Sequence, residues 1–296
     1  MKCVKCRGEA VINIKRANAG FCKEHFNEFF ISQTLKALKE YKMLRKTDKV
    51  LVCVSGGKDS LVLWYVLNSL GCDVTGMYVD LGIEGYSDRS REKVINFAEK
   101  FSLNSIIIDL KEKGYPIPYI AKKSRREDCA VCGTIKRYFF NKVAYDGNFD
   151  VVATGHNLND EGARLLANIM HWQDEYIDNT YPVLQASGTM KRKIKPFVRL
   201  TERETAAYAI LNGIDYIMEE CPMSKGATSM IFKDAMSSIE EKMPGTELFF
   251  YTTFLEKNKE KEQQPTSSEE MKICQTCGME SFLEKCTFCR LVEKGE

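Results

Sequence analysis

The hexapeptide Ser55-Gly56-Gly57-Lys58-Asp59-Ser60 follows the apolar run Val50-Leu51-Val52-Cys53-Val54 and precedes a helical stretch from Leu61 to Leu70. A short β-branched run that empties into a glycine turn and then a helix builds a cradle for phosphate. The glycines let backbone N–H groups approach the anion, the helix N-terminus adds partial positive charge, and Lys58 brings a full one. The loop is not of the Walker A kind, which would carry glycine where Val52 stands and Ser or Thr where Asp59 stands.

Twelve cysteines supply a second chemistry. Cys3-x-x-Cys6 with Cys22-x-x-His25, and Cys274-x-x-Cys277 with Cys286-x-x-Cys289, each offer four soft ligands in the paired spacing of tetrahedral zinc. No ligand position is left for water, so both zinc sites are expected to be structural, on fingers too short to fold without the ion. Cys129-x-x-Cys132 has no second pair nearby. Its spacing allows a redox dithiol, half of a weak zinc site or part of an iron–sulfur cluster. Cys221, in Glu220-Cys221-Pro222, is the remaining candidate partner, because Cys53 and Cys72 read as small packed residues.

The elements that must position these groups alternate. From Lys49 onward strands are expected at Val74 to Val79, Ser105 to Asp109 and Val151 to Thr154. Helices are expected at Ser87 to Phe101, Gly133 to Tyr145 and Asp160 to Met170, with an amphipathic helix from Asn27 to Tyr41 ahead of them. Such alternation means a parallel sheet covered on both faces, with ligands gathered at the carboxyl ends of its strands. Three of those ends carry polar or glycine clusters: Ser55-Gly56-Gly57, Asp80-Leu81-Gly82 and Thr154-Gly155-His156-Asn157. The expected organisation is a finger over 1–26, a catalytic domain over 27–262 and a finger over 271–296, the last tied on by the charged stretch Glu256 to Glu270.

At 296 residues and 44% apolar composition the chain can bury one large core. The net charge of +2 does not by itself point to nucleic acid. Two local basic runs are more suggestive: Lys122, Lys123, Arg125 and Arg126, followed by Lys136 and Arg137, and then Lys191, Arg192, Lys193, Lys195 and Arg199. Each reads either as a solvated face or as a grip on phosphates. No stretch approaches the roughly eighteen apolar residues of a membrane span. The N-terminus opens on Cys3 and Cys6 instead of an apolar signal segment, so no membrane is expected and the cytoplasm is the expected compartment.

Taken together, the motifs resemble a known family. The glycine loop is similar to the PP-loop of the ATP pyrophosphatases, which cut ATP between the α and β phosphates to adenylate a substrate. The chain as a whole resembles the TtcA/TtuA family of tRNA 2-thiolation enzymes, in the subgroup with a zinc finger at each end. The resemblance rests on the PP-loop, Tyr78-Val79-Asp80-Leu81-Gly82, Cys129-x-x-Cys132-Gly133 with Lys136-Arg137-Tyr138, Thr154-Gly155-His156-Asn157-Leu158-Asn159-Asp160-Glu161, Glu220-Cys221-Pro222 and both fingers in order. It implies an α/β fold with a parallel five-stranded sheet, helices on both faces and flanking zinc fingers.

The resemblance also implies roles. Val54, Ser55, Gly56, Gly57, Lys58, Asp59 and Ser60 would hold the phosphates of ATP with Mg2+, Tyr78 to Asp80 would meet adenine, and Gly155 with His156 would flank the nucleotide. Cys129, Cys132 and Cys221 would be the three ligands of a [4Fe–4S] cluster, and Lys136 and Asp160 the catalytic side chains, by charge stabilisation or proton transfer. The chain departs from the family pattern at Asn159, where aspartate is common, and at Gly162, where alanine is usual. The implied reaction adenylates the C2 oxygen of a tRNA uridine, most simply at the T-loop, and replaces it with sulfur. The implied partners are tRNA, a ubiquitin-like sulfur carrier with a C-terminal thiocarboxylate, and a second copy in a homodimer. Rival readings are a wobble-uridine or anticodon-loop cytidine thiolase of the same family, a non-catalytic RNA-binding zinc protein, and a small-molecule adenylating enzyme.

Overall fold

The computed structural model describes residues 1–178, 180–224, 229–258 and 271–293. Of the expected linker Glu256 to Glu270, residues 259–270 lie outside the described residues, as do 294–296 of the expected C-terminal finger. The chain opens with a hairpin of β1 (Ile12–Ile14) and β2 (Ala19–Phe21), then α1 (Lys23–Glu40). Next come β3 (Lys49–Val54), α2 (Lys58–Ser69), β4 (Asp73–Asp80), α3 (Tyr86–Lys100), β5 (Asn104–Asp109), α4 (Ile117–Lys123), α5 (Asp128–Asp146), β6 (Val151–Thr154) and α6 (Leu158–Met170). After α7 (Asp174–Asp178) follow β7 (Val183–Leu184), β8 (Arg192–Ile194), α8 (Glu202–Leu211), α9 (Ser229–Lys242) and α10 (Thr246–Lys257). The C-terminal finger holds β9 (Lys272–Ile273), β10 (Glu280–Ser281) and α11 (Thr287–Glu293).

The central sheet has the order β5-β4-β3-β6-β8-β7. Its first five strands are parallel, as the resemblance implies, and β7 adds a short antiparallel edge. The chain leaves β3 toward β5 on one side and returns to β6 on the other. The carboxyl ends of β3 and β6, neighbours in the sheet, therefore lie side by side at the crevice where such sheets bind ligands.

Burial explains why β3 reads as an unbroken apolar run. Val50, Val52 and Val54 enter a core with α1, α2, α3, α8 and α10, while Leu51 and Cys53 enter a second core with α4 and α5. A strand covered on both faces needs apolar residues at every position. The fingers join these cores: Ile12, Ile14 and Phe21 pack into the first, and Cys274, Phe288 and Leu291 into the second. Because α1 runs from the N-terminal finger into the first core, it crosses the expected boundary at residue 26.

Two elements differ from expectation. The helix expected to begin at Gly133 begins at Asp128, so Cys129 and Cys132 sit in its first turns. The basic run over 191–199 is not a wholly solvated face, because three of its five cations pair inward. Arg192 pairs with Asp48, Lys195 with Glu161 at 2.7 Å, and Arg199 with Glu40 at 3.3 Å.

Candidate active site

The PP-loop is held by its own hydroxyls. The Ser55 amide donates to Ser60 Oγ at 3.0 Å, and Ser60 Oγ donates to the Gly57 carbonyl at 3.0 Å. Gly56 has φ +79°, and a β carbon there would come within 2.8 Å of the Ser90 carbonyl, so a glycine is required on both counts. Gly155, after β6, is pressed against the loop: its β carbon would stand 2.8 Å from the Asp59 carbonyl carbon. Helix α2 starts with no side-chain cap, whereas α6 and α8 are closed by reciprocal boxes between Asn157 and Asp160 and between Thr201 and Glu204. Of these three, α2 alone offers uncapped N–H groups, and it is the one opening from the glycine loop.

A cavity of about 460 Å³ opens in front of this loop. One wall carries Ser55, Gly57, Asp59, Ser60, Gly155 and His156. The cavity lining also includes Cys129, Cys132, Lys136 and Cys221. The Cys129 thiol approaches the Met223 carbonyl at 3.7 Å, which ties the start of α5 to the segment bearing Cys221. Burial pushes the Cys132 thiol up; Lys136 opposes this, and the neighbouring Cys221 and Cys129 sulfurs add to it. Three cysteines lining one open cavity suit a polynuclear iron cluster, which spreads its ligands more widely than a single ion does. Lys136 lies one turn after Cys132 and has no ion-pair partner among the described residues, so it is not the surface salt bridge that a lone lysine there would suggest.

The other expected residues fall in varied places. Tyr78 lines the cavity, but its hydroxyl is turned to α3, where it donates to the Ser87 carbonyl at 3.0 Å. Asp80 is buried behind the wall and accepts the Gly82 amide at 3.0 Å, so it shapes the turn without lining the cavity. Lys58 is also outside the lining. It bridges Asp59 at 3.1 Å and Glu202 at 2.7 Å. Asp160 lines the cavity and pairs with Lys233 from α9, which in turn lies 3.6 Å from Glu202. Glu202, Lys233 and Thr205, whose hydroxyl donates to Asp59, went unread in the sequence. Only tertiary folding brings them to the loop.

The two terminal quartets gather as their spacing demands. In each, the four candidate ligand atoms lie within 4.8 Å of one another. His25 Nδ1 is 3.2 Å from Cys22 Sγ and 3.4 Å from Cys3 Sγ. At the other end Cys277 and Cys286 sulfurs are 3.7 Å apart, and the Cys286 amide donates to Cys274 Sγ at 3.3 Å. Burial raises the Cys274 thiol, but backbone N–H bonds around it win and bring it down to about 6. All-sulfur and sulfur–imidazole donor sets of this compactness fit one tetrahedral zinc each.

An uncapped glycine loop between β3 and α2, at the switch point of a parallel sheet, defines a PP-loop protein, and residues 27–226 match the PP-loop domain family. The terminal finger narrows the class further. Residues 2–27 match the N-terminal LIM domain of 2-thiouridine synthetase TtuA. The chain belongs to the tRNA-5-methyluridine(54) 2-sulfurtransferase family. It is 42% identical to that enzyme from Pyrococcus horikoshii, over 98% of this chain and 93% of the relative, and 40% identical to that from Thermus thermophilus, over 98% and 91%. Among solved structures it is similar to the U34-tRNA thiolase NcsA from Methanococcus maripaludis with its [4Fe-4S] cluster, at 26% identity and a TM-score of 0.79, covering 88% of each chain.

Proposed function

We propose that this chain is an ATP-dependent tRNA 2-thiolase acting at the position 54 for which its 40–42% identical relatives are named. One observation carries the reading: the PP-loop and Cys129, Cys132, Cys221 and Lys136 line a single cavity. A nucleotide and a sulfur centre held in one cavity can both reach a base that enters it.

The PP-loop amides and the α2 N-terminus bind the phosphates, and Lys58 exchanges Glu202 for them when ATP arrives. Asp59 and Asp160 provide the oxygen donors that Mg2+ prefers at this end of the cavity. The uridine C2 oxygen attacks the α-phosphorus and pyrophosphate leaves, its charge met by Lys58 and the loop. Sulfide then attacks C2, and AMP departs with the former carbonyl oxygen. Lys136 stabilises the negative charge that develops at C2 during this exchange. Cys129, Cys132 and Cys221 would hold a [4Fe–4S] cluster, which would supply the sulfur-transfer chemistry beside the base. The base is turned out of its stack to enter.

Both terminal quartets hold structural zinc. The sulfur comes from a ubiquitin-like carrier with a C-terminal thiocarboxylate, the working unit is a homodimer, and the reaction takes place in the cytoplasm. The resemblance supports each of these. A second reading, wobble-uridine thiolation, is favoured by the similarity to the NcsA structure. Anaerobic incubation of unmodified tRNA with the iron-loaded protein, ATP, magnesium and sulfide, followed by nucleoside mass spectrometry and nuclease mapping, tests both. Thiolation in the T-loop supports the first reading, and thiolation in the anticodon supports the second.

A further inference from the structure

The two basic runs have opposite fates. In the second, three cations are neutralised internally. In the first, none of Lys122, Lys123, Arg125 and Arg126 has an ion-pair partner among the described residues, and all four side chains are exposed. The first run also forms one side of a cleft of about 570 Å³ whose other side is α11 of the C-terminal finger, with Thr287 and Arg290. Lys123, Arg125, Arg126 and Arg290 share this cleft with no acidic residue. Like charges gathered around one hollow repel unless a polyanion lies among them.

We propose that this cleft is the seat of the tRNA phosphodiester backbone, a proposal that rests on tRNA being the substrate. Position argues for RNA over an acidic protein. The cleft's Arg125 and Arg126 lie just ahead of Asp128 and Cys129, which line the catalytic cavity. A base can be turned into that cavity only if the strand bearing it is held at the entrance. The arginine forks match phosphate oxygens in pairs. The far side of the cleft is held by packing, beside the second cysteine quartet. Arg290 directly follows Cys289, and Phe288 stacks on Tyr138 of α5 at 3.7 Å with the rings 5° apart. A zinc on this quartet would thus be more than a fold staple: it would set the width of the RNA seat.

The test is the double variant Arg125→Glu/Arg126→Glu in the full-length, metal-loaded chain, beside Lys36→Glu/Lys39→Glu on the exposed face of α1 as a charge-matched reference. Fluorescence anisotropy with tRNA over a salt series reads affinity and the slope of log K against log salt. For the cleft variant we expect a loss of affinity of at least about tenfold and a slope smaller by roughly one for each phosphate lost, with ATP binding and iron content unchanged. The reference variant should stay within about twofold of the parent. Parent-like tRNA binding by the cleft variant overturns the proposal, and does so in favour of a protein partner if affinity for the thiocarboxylate carrier falls instead. Failure of the parent itself to bind tRNA would overturn the functional reading as well, a result distinct from failure of the cleft alone.

Discussion

The Glu247 carboxylate lies so close over Gly162 that a β carbon at position 162 would stand 2.9 Å from its Oε1. The other oxygen, Oε2, accepts from Asn159 Nδ2 at 2.7 Å, and Asn159 Oδ1 accepts the Glu202 amide at 2.7 Å. An amide side chain can donate to a carboxylate and accept from the backbone at once, whereas an ionised aspartate in its place could only accept. Asn159 and Gly162 therefore both accommodate Glu247. Through Glu202 the arrangement reaches Lys58 of the PP-loop.

Gly162→Ala would ordinarily strengthen a helix by about 1 kcal/mol. Here the added methyl meets a buried carboxylate, and overpacking costs about 1–3 kcal/mol. We expect a net loss of stability in the parent and a gain of up to about 1 kcal/mol when Glu247 is also Ala. Denaturant unfolding of the four proteins of this cycle measures the coupling; additive effects would separate the two residues.

Burial, with Glu240 adding to it, pushes the Glu247 carboxyl up to about 8. Its Oε1 has no hydrogen-bond partner among the described residues, which also favours the protonated form. Because the folded value is raised, the stability from this group is full below the ordinary carboxylate value of about 4.3 and declines by about 1.4 kcal/mol per unit as pH rises, until about 8. Glu247→Gln should flatten the fall in melting temperature between those limits and raise it most at the alkaline end. An unchanged pH profile in the variant would assign the titration to another group.

Legibility followed distance along the chain. The PP-loop, the finger quartets, β4 and β6 announce themselves because each is a local pattern of spacing or alternation. Strand β8 is only Arg192–Ile194, and two of its three residues are basic, so no strand period is visible there. Helix α5 reads as starting at Gly133 because the cysteine pair and acidic residues ahead of it mask its first turn. The run over 191–199 was misleading for a similar reason: the acids that neutralise it, Asp48, Glu161 and Glu40, come from three distant segments. Glu202 and Lys233 carry no motif at all, yet they hold Lys58 and Asp160.

Lys58→Ala removes the cation proposed to meet the departing pyrophosphate. Losing one such transition-state contact costs about 10²–10³-fold in rate. We expect tRNA-dependent pyrophosphate release to fall by that factor while tRNA affinity stays at the parent level. Undiminished release would assign phosphate stabilisation to the loop amides alone.

Cys221→Ala should remove iron, and with it the visible absorbance of anaerobically prepared protein, while two zinc ions per chain remain. Cys274→Ser should do the reverse for one zinc and loosen α11 from α5. Iron retained in full by the Cys221 variant would take that residue out of the ligand set.

The account stands most directly on the meeting of nucleotide and sulfur chemistry at one uridine. A single anaerobic turnover, with tRNA carrying a heavy-oxygen label at C2 of the target uridine, measures that meeting. We predict equal yields of 2-thiouridine and AMP, with the label wholly in the AMP phosphate. Thiolation without labelled AMP, or AMP formed without thiolation, would contradict it.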